Sequence, residues 1–128
     1  MATRILIVDD SPLVRERLRE LLQQHNGWSV CGESANGRDA VIKARDLHPD
    51  LIVLDFLMPG MNGMQAAQEI AKLVPGVPIL MFTTHMSNQL MEEARHVGIR
   101  GAVAKTDVTE LIQGVEALLR NESYFHPN

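Results

Sequence analysis

Apolar residues along this chain follow two alternating rhythms. Short unbroken runs, Ile5-Leu6-Ile7-Val8, Leu51-Ile52-Val53-Leu54, Pro78-Ile79-Leu80-Met81-Phe82 and Ala102-Val103-Ala104, read as strands buried on both faces. Trp28 to Gly32 is a less purely apolar run, which predicts a strand nearer a sheet edge. Between the runs, apolar residues recur every three or four positions: Leu13, Val14, Leu18, Leu21 and Leu22, then Ala40, Val41, Ala44 and Leu47. Ala67, Ile70, Ala71 and Val74 continue the spacing, followed by Leu90, Met91, Ala94 and Val97, and by Leu111, Ile112, Val115, Leu118 and Leu119. Such spacing lines one side of a helix. The punctuation agrees. Ser11-Pro12 caps and starts a helix, Ser87 can cap the fourth, and Asp107 or Thr109 the last. Asn26-Gly27, Asn36-Gly37, His48-Pro49, Pro75-Gly76 and Gly98 mark the breaks.

Strand then helix, five times over with short connections, dictates an α/β domain: a parallel sheet with right-handed crossovers and helices on both faces. A length of 128 residues fits one domain, read here as 1–121, with 122–128 as a C-terminal tail or the start of a linker. The net charge of −4 supplies no basic face, which argues against direct nucleic-acid contact by this chain. Cys31 stands alone, so it cannot form an internal disulfide and reads as a small core residue in a reducing compartment. The N-terminus does not read as a signal peptide, and no apolar run reaches the length of a membrane span. The expectation is a cytoplasmic protein with no membrane partner.

Strand ends carry the candidate chemistry. The first run closes in Asp9-Asp10, the third strand in Asp55, the fourth in Thr83 and the fifth in Lys105. In a parallel sheet these ends share one edge, where ligands bind in open α/β folds. Any one of them alone reads as a cap or a solvated surface group; together they do not. Carboxylates brought close repel unless a cation sits among them, and oxygen ligands with room for water suit Mg²⁺. A lysine and a threonine hydroxyl facing the same place can accept an anion. The set points to phosphoryl transfer onto Asp55, with Mg²⁺ and Lys105 stabilising the transferred group.

Ile-Val-Asp-Asp-Ser at residues 7–11, Leu-Asp-Phe-Leu-Met-Pro-Gly-Met-Asn-Gly at 54–63, Met-Phe-Thr-Thr at 81–84 and Val-Ala-Lys at 103–105 resemble the receiver domain of bacterial response regulators, the CheY-like family. The likeness runs in order to about Arg120. It implies a flavodoxin-like sheet of five parallel strands in the order 2-1-3-4-5. It further implies that Asp55 is the phosphoacceptor, that Asp10 binds Mg²⁺ directly and Asp9 largely through water, and that the backbone carbonyl of Leu57 is a further ligand. Thr83 and Lys105 would hold the phosphoryl oxygens. Phosphorylation would reshape the surface of helix 4, strand 5 and helix 5, where Met86 can offer adaptable contacts while Leu90 and Met91 read as core. The implied partners are a sensor histidine kinase or a phosphotransfer protein, and a second copy of the chain in a phosphorylation-linked homodimer. Beyond its own phosphotransfer and autodephosphorylation, the resemblance implies no enzyme activity.

Several positions depart from the family pattern. The switch aromatic three residues before the lysine is Ala102, and the proline that commonly follows the lysine is Thr106. The motif after Asp55 and the tail Ser-Tyr-Phe-His-Pro look most like receivers of the NarL type, which commonly precede a helix-turn-helix domain. DNA would then be reached only through such an output domain, and the chain is either a stand-alone receiver or a piece of a longer regulator. The resemblance implies that the residues two after the acceptor and two after the threonine, here Leu57 and His85, flank the path of the attacking water, with Thr84 where a smaller side chain is common. Leu57 can neither orient nor bond water, and Thr84 narrows the entrance, which predicts slow loss of the phosphoryl group. His85 opposes this if its imidazole positions water, and it would make the rate depend on pH. Either the His85 side chain points to solvent, or on activation it, or a helix-4 side chain, moves into the room left beside Ala102.

Two other classes fit less well. An aspartyl-phosphate hydrolase of the haloacid-dehalogenase type would have Asp-x-Asp where Asp55 is followed by Phe56-Leu57. A flavin-binding module of the same fold would meet repulsion from Asp9-Asp10 at its phosphate.

Overall fold

In a computed structural model, which describes residues 2–106 and 108–125, the unbroken apolar runs are strands and the spaced ones helices. The order is β1 (Thr3–Val8), α1 (Pro12–Gln24), β2 (Trp28–Ser34), α2 (Gly37–Leu47), β3 (Leu51–Leu54), α3 (Gly63–Leu73), β4 (Ile79–Thr83), α4 (Asn88–His96), β5 (Gly101–Ala104), α5 (Val108–Leu119) and β6 (Tyr124–Phe125). All strands are parallel, in the order β2-β1-β3-β4-β5-β6. The α/β class and the first five places of the order match expectation. The count of five strands does not: Tyr124–Phe125, within the segment expected as a tail or linker, adds a sixth.

Period two divides each apolar run between two cores. Ile5, Ile7, Leu51, Val53, Leu80 and Phe82 face α1 and α5, packing on Leu18, Leu22, Leu111, Val115 and Leu118. Leu6, Val8, Ile52, Leu54 and Met81 face the other way, onto Ala40 and Ala44 of α2, Ala67 and Ile70 of α3 and Leu90, Met91 and Ala94 of α4. Wholly apolar strands are therefore required, because neither face meets water. Leu90 and Met91 are core, as their spacing implied, and Met86 is half-buried. β2, the mixed strand, lies at an edge, where a register break opposite Ile5 and Leu6 leaves Cys31 unpaired. Cys31 packs against the core, and burial pushes its thiol up from the ordinary value.

Ser11, Asn36, Asn62 and Ser87 cap α1 to α4 by accepting backbone N–H groups, and Asn62 forms a reciprocal capping box with Gln65. Thr109 is not the cap of the last helix, since α5 already runs from Val108. Asp107, the alternative cap, lies outside the described residues, as do tail residues 126–128.

The sixth strand is held by more than its ladder. Tyr124 N–H donates to the Arg100 carbonyl at 2.9 Å, and the Tyr124 hydroxyl bonds the Glu110 carboxylate of α5. Phe125 pairs in register with Ala102, packs on the core that contains it and lies under the Arg95 guanidinium of α4, 4.4 Å from ring centre. Small residues make the room. A Cβ on Gly101 would sit 2.7 Å from Leu80 Cδ1 and 2.9 Å from the Tyr124 carbonyl. Gly101→Ala is accordingly expected to cost about 1–3 kcal/mol and to loosen β6. Denaturant melts, together with faster amide exchange at Tyr124 and Phe125, would register both effects.

Candidate functional site

The site is assembled at the C-terminal ends of β1, β3, β4 and β5. Asp9 and Asp10 follow β1, Asp55 follows β3, Thr83 ends β4 and Lys105 follows β5. The register of the sheet brings them level: Val8 is opposite Leu54, and Thr83 is opposite Ala104. One carboxylate oxygen from each of Asp9, Asp10 and Asp55 lies within 4.8 Å of the others. Asp9 and Asp55 are buried, at 1% and 5% exposure, while Asp10 is open to solvent.

The Lys105 ammonium reaches into this group, 2.6 Å from Asp9 Oδ2 and 3.2 Å from Asp55 Oδ2. Asp9 Oδ2 is wholly buried and has no partner but that ammonium among the described residues. Asp9 Oδ1 accepts the Ser11 backbone N–H at 2.9 Å. Three carboxylates against one ammonium leave the cluster with negative charge to spare. The consequence shows in Asp55, whose carboxyl is pushed above its ordinary range by burial first and by the Asp9 charge second. Lys105 and the Leu57 backbone N–H pull it down less strongly. For Lys105, burial works against the charged form, but the carboxylates of Asp9 and Asp55 outweigh it and hold the ammonium above its ordinary value.

The loop after Asp55 is pinned back onto the strand end. Gly63 N–H donates to the Phe56 carbonyl at 2.8 Å, and a Cβ at Gly63 would fall 2.5 Å from the Asp55 carbonyl oxygen. Only glycine lets the start of α3 come this close, so the last residue of the Met-Pro-Gly-Met-Asn-Gly motif is a packing requirement of the acceptor. Leu57, two residues after Asp55, has a side chain 48% exposed, and its backbone N–H bonds the Asp55 carboxylate.

Thr83 is fully buried. Its hydroxyl oxygen accepts the His85 backbone N–H at 3.1 Å, which leaves its own proton to donate elsewhere. Lys105 N–H donates to the Thr83 carbonyl at 2.9 Å, tying the two phosphoryl-binding candidates through the backbone. Thr84 and His85 are exposed. Ala102 is not in the site: it is buried in the core, and the aromatic ring beside it is Phe125, supplied by β6. No residue pattern announces that ring; Gly101 and Gly114 make room for its neighbour Tyr124 and for Leu80.

The profile of the response regulator receiver domain matches residues 5–116. The chain is 34% identical over 128 residues to the response regulator protein VraR of Staphylococcus epidermidis, covering 99% of this chain and 61% of that protein. VraR of Staphylococcus aureus gives the same identity and coverage, so the chain spans about three fifths of the length of the curated relatives it matches. Among solved structures, a LuxR-family two-component response regulator from Aurantimonas superposes with a TM-score of 0.93 at 34% identity, covering 97% of this chain and 89% of that one. The signal receiver domain of a response regulator named NarL from Mycobacterium tuberculosis superposes at 0.88 with 27% identity, covering 94% and 98%.

Proposed function

Because this chain belongs to the response regulator receiver family, we propose that it works as a phosphorylation-controlled switch, taking a phosphoryl group onto Asp55 from a sensor histidine kinase or a phosphotransfer protein. The observation that carries the reading is the buried Asp55 carboxylate, with Asp9, Asp10 and Lys105 converging on it.

Hard oxygen donors, surplus negative charge and one solvent-facing member suit Mg²⁺, which keeps part of its hydration shell. Asp9, Asp10 and Asp55 would hold it, with the Leu57 carbonyl as a further ligand. A Mg²⁺ held there would supply positive charge beside the oxygens of the transferring group. An Asp55 carboxylate oxygen forms the new bond to phosphorus as the phosphorus–nitrogen bond of a phosphohistidine breaks, and the donor imidazole keeps that electron pair and takes a proton. Lys105 is already paired with Asp55 and remains beside the charge as it spreads onto the phosphoryl oxygens. Thr83 has one free hydroxyl proton for the same oxygens. Turning to deliver it strains the bond from His85 N–H, so the β4–α4 loop is drawn along. That movement would pass to the α4–β5–α5 face, where a second copy of the chain is the homodimer candidate.

If the chain is part of a longer regulator with a C-terminal output domain, DNA would be reached through that domain and not by this acidic chain. No helix among the described residues is long and apolar enough to cross a membrane, and the compartment we infer is the cytoplasm. Hydrolysis of a second substrate, as in haloacid-dehalogenase-type enzymes, has no second acid after Asp55 to support it.

Intact-mass measurement after incubation with acetyl phosphate and Mg²⁺ tests the proposal. One added phosphoryl group, dependent on Mg²⁺, is expected; no Mg²⁺-dependent labelling and no beryllofluoride binding would rule it out. The exposed Leu57 offers water no hydrogen bond, so Leu57→Asn should speed decay of the phosphoprotein. One orienting hydrogen bond is worth about 1 kcal/mol, or roughly fivefold in rate. His85→Ala keeps the backbone bond to Thr83 and should alter the decay less. Equal decay of wild type and the Asn variant would show that Leu57 does not shield the phosphoryl group.

A further inference from the structure

Arg15 of α1 makes two contacts that the phosphotransfer reading does not use. Its Nη1 donates to the Asp9 carbonyl oxygen at 2.7 Å, and its Nε to Glu33 Oε1 of β2 at 3.3 Å. Glu33 is held in turn from its other oxygen by Arg19. The Arg15 side chain is only 19% exposed, so this is a seated guanidinium and not a trailing surface charge.

The Asp9 carbonyl belongs to the peptide that joins Asp9 to Asp10. On its near side, Asp9 N–H donates to the Ser34 carbonyl at 3.0 Å, and Ser11 N–H closes on Asp9 Oδ1. Arg15 supplies the remaining restraint, on the plane of the 9–10 peptide itself. The restraint matters most for Asp10. Its carboxylate makes no hydrogen bond or ion pair among the described residues, so only the backbone aims it at the cluster it shares with Asp9 and Asp55.

We propose that Arg15, braced by Glu33, is a positioning residue for the cation site: it fixes the Asp9–Asp10 peptide and so directs the Asp10 carboxylate. The inference rests on the Mg²⁺ reading above. A bland alternative is that Arg15 only ties α1 to β2 through Glu33. The two differ in sign. Taking a positive charge away from beside an anionic cluster favours cation binding on Coulombic grounds, whereas releasing the peptide plane opposes it. Groups that orient metal ligands are worth about tenfold or more in affinity.

Calorimetric titration of the full chain with Mg²⁺ alone separates these effects. Arg15→Gln should weaken Mg²⁺ binding about tenfold although it lowers the local positive charge. Arg15→Lys, which keeps the charge and can reach one acceptor but not both, should fall between. Glu33→Gln leaves the bond to Asp9 in place and should do less than Arg15→Gln. Unchanged or tighter binding by Arg15→Gln overturns the positioning role. Should that variant prove unfolded, Arg15→Lys binding Mg²⁺ as wild type does overturns it equally. A wild-type chain that takes up no Mg²⁺ overturns the cation reading itself, and is told apart from the other outcomes by being seen before any variant is made.

Discussion

Asp55→Asn is expected to abolish labelling by acetyl phosphate and at the same time to make the Mg²⁺-free protein more stable. Loss of labelling follows from loss of the nucleophile, since an amide oxygen does not replace the carboxylate. The gain in stability follows from the site's electrostatics. Burial, and then the neighbouring Asp9 charge, raise the Asp55 pKa in the folded protein. An acid with a raised folded-state pKa binds its proton more readily when folded than when unfolded, so its ionisation subtracts from stability above that raised value. The deficit shrinks as pH falls through the raised pKa and is gone below the ordinary value of 3.8. The variant should therefore exceed wild type at neutral pH by on the order of 1 kcal/mol, the gain that relief of such a clash yields. The advantage should fade on acidification. Thermal melts at several pH values, without Mg²⁺, check it. An advantage that persists unchanged below pH 3.8 would have some other origin, and equal labelling of the two proteins would remove Asp55 as acceptor.

Lys105→Met should act in the opposite direction. It leaves the buried Asp9 and Asp55 carboxylates without the ammonium that now sits 2.6 and 3.2 Å from them. Removing one partner of a buried ion pair costs about 3–5 kcal/mol, reduced here to the extent that the exposed Asp10 side of the site admits water. Mg²⁺ should recover much of the loss, because it supplies the missing positive charge to the same carboxylates. The rise in melting temperature on adding Mg²⁺ is thus expected to be larger for the variant than for wild type; an equal or smaller rise would show that the ammonium and the metal do not answer to the same charge. In wild type, the Lys105 pKa is raised on balance, so its contribution is complete below its ordinary value of 10.5 and is lost as pH climbs through the raised one.

Much of this architecture could be read from residue patterns because the physics is local. Runs such as Leu51–Leu54 have no polar face to offer water and so must be interior strands, and Ser11-Pro12 or Asn62 announces a helix start whatever surrounds it. The site was legible for a related reason: parallel strands put their ends on one edge, so acids closing β1 and β3 meet without any knowledge of side-chain paths. What the pattern withheld depends on contacts distant in sequence. A pair, Tyr124-Phe125, is too short to signal a strand; it becomes one only because Gly101 and Gly114 leave space and Glu110 and Arg95 offer partners. Arg15 likewise looks like one more solvated charge on α1 until β2 places Glu33 beside it. Thr109 was a reasonable cap by residue type, yet the helix begins ahead of it at Val108.

The docking of β6 also shortens a tether. Were the chain free after α5 ends at Leu119, the residues up to Phe125 would give anything attached beyond them about 20 Å of slack at full extension. Pinned between α4 and α5 by a cation over Phe125 and a carboxylate on Tyr124, that slack is withdrawn, and the outgoing chain starts from a point fixed relative to β5. Any shift of β5 would then carry Phe125 with it through their shared ladder, and not be absorbed as play.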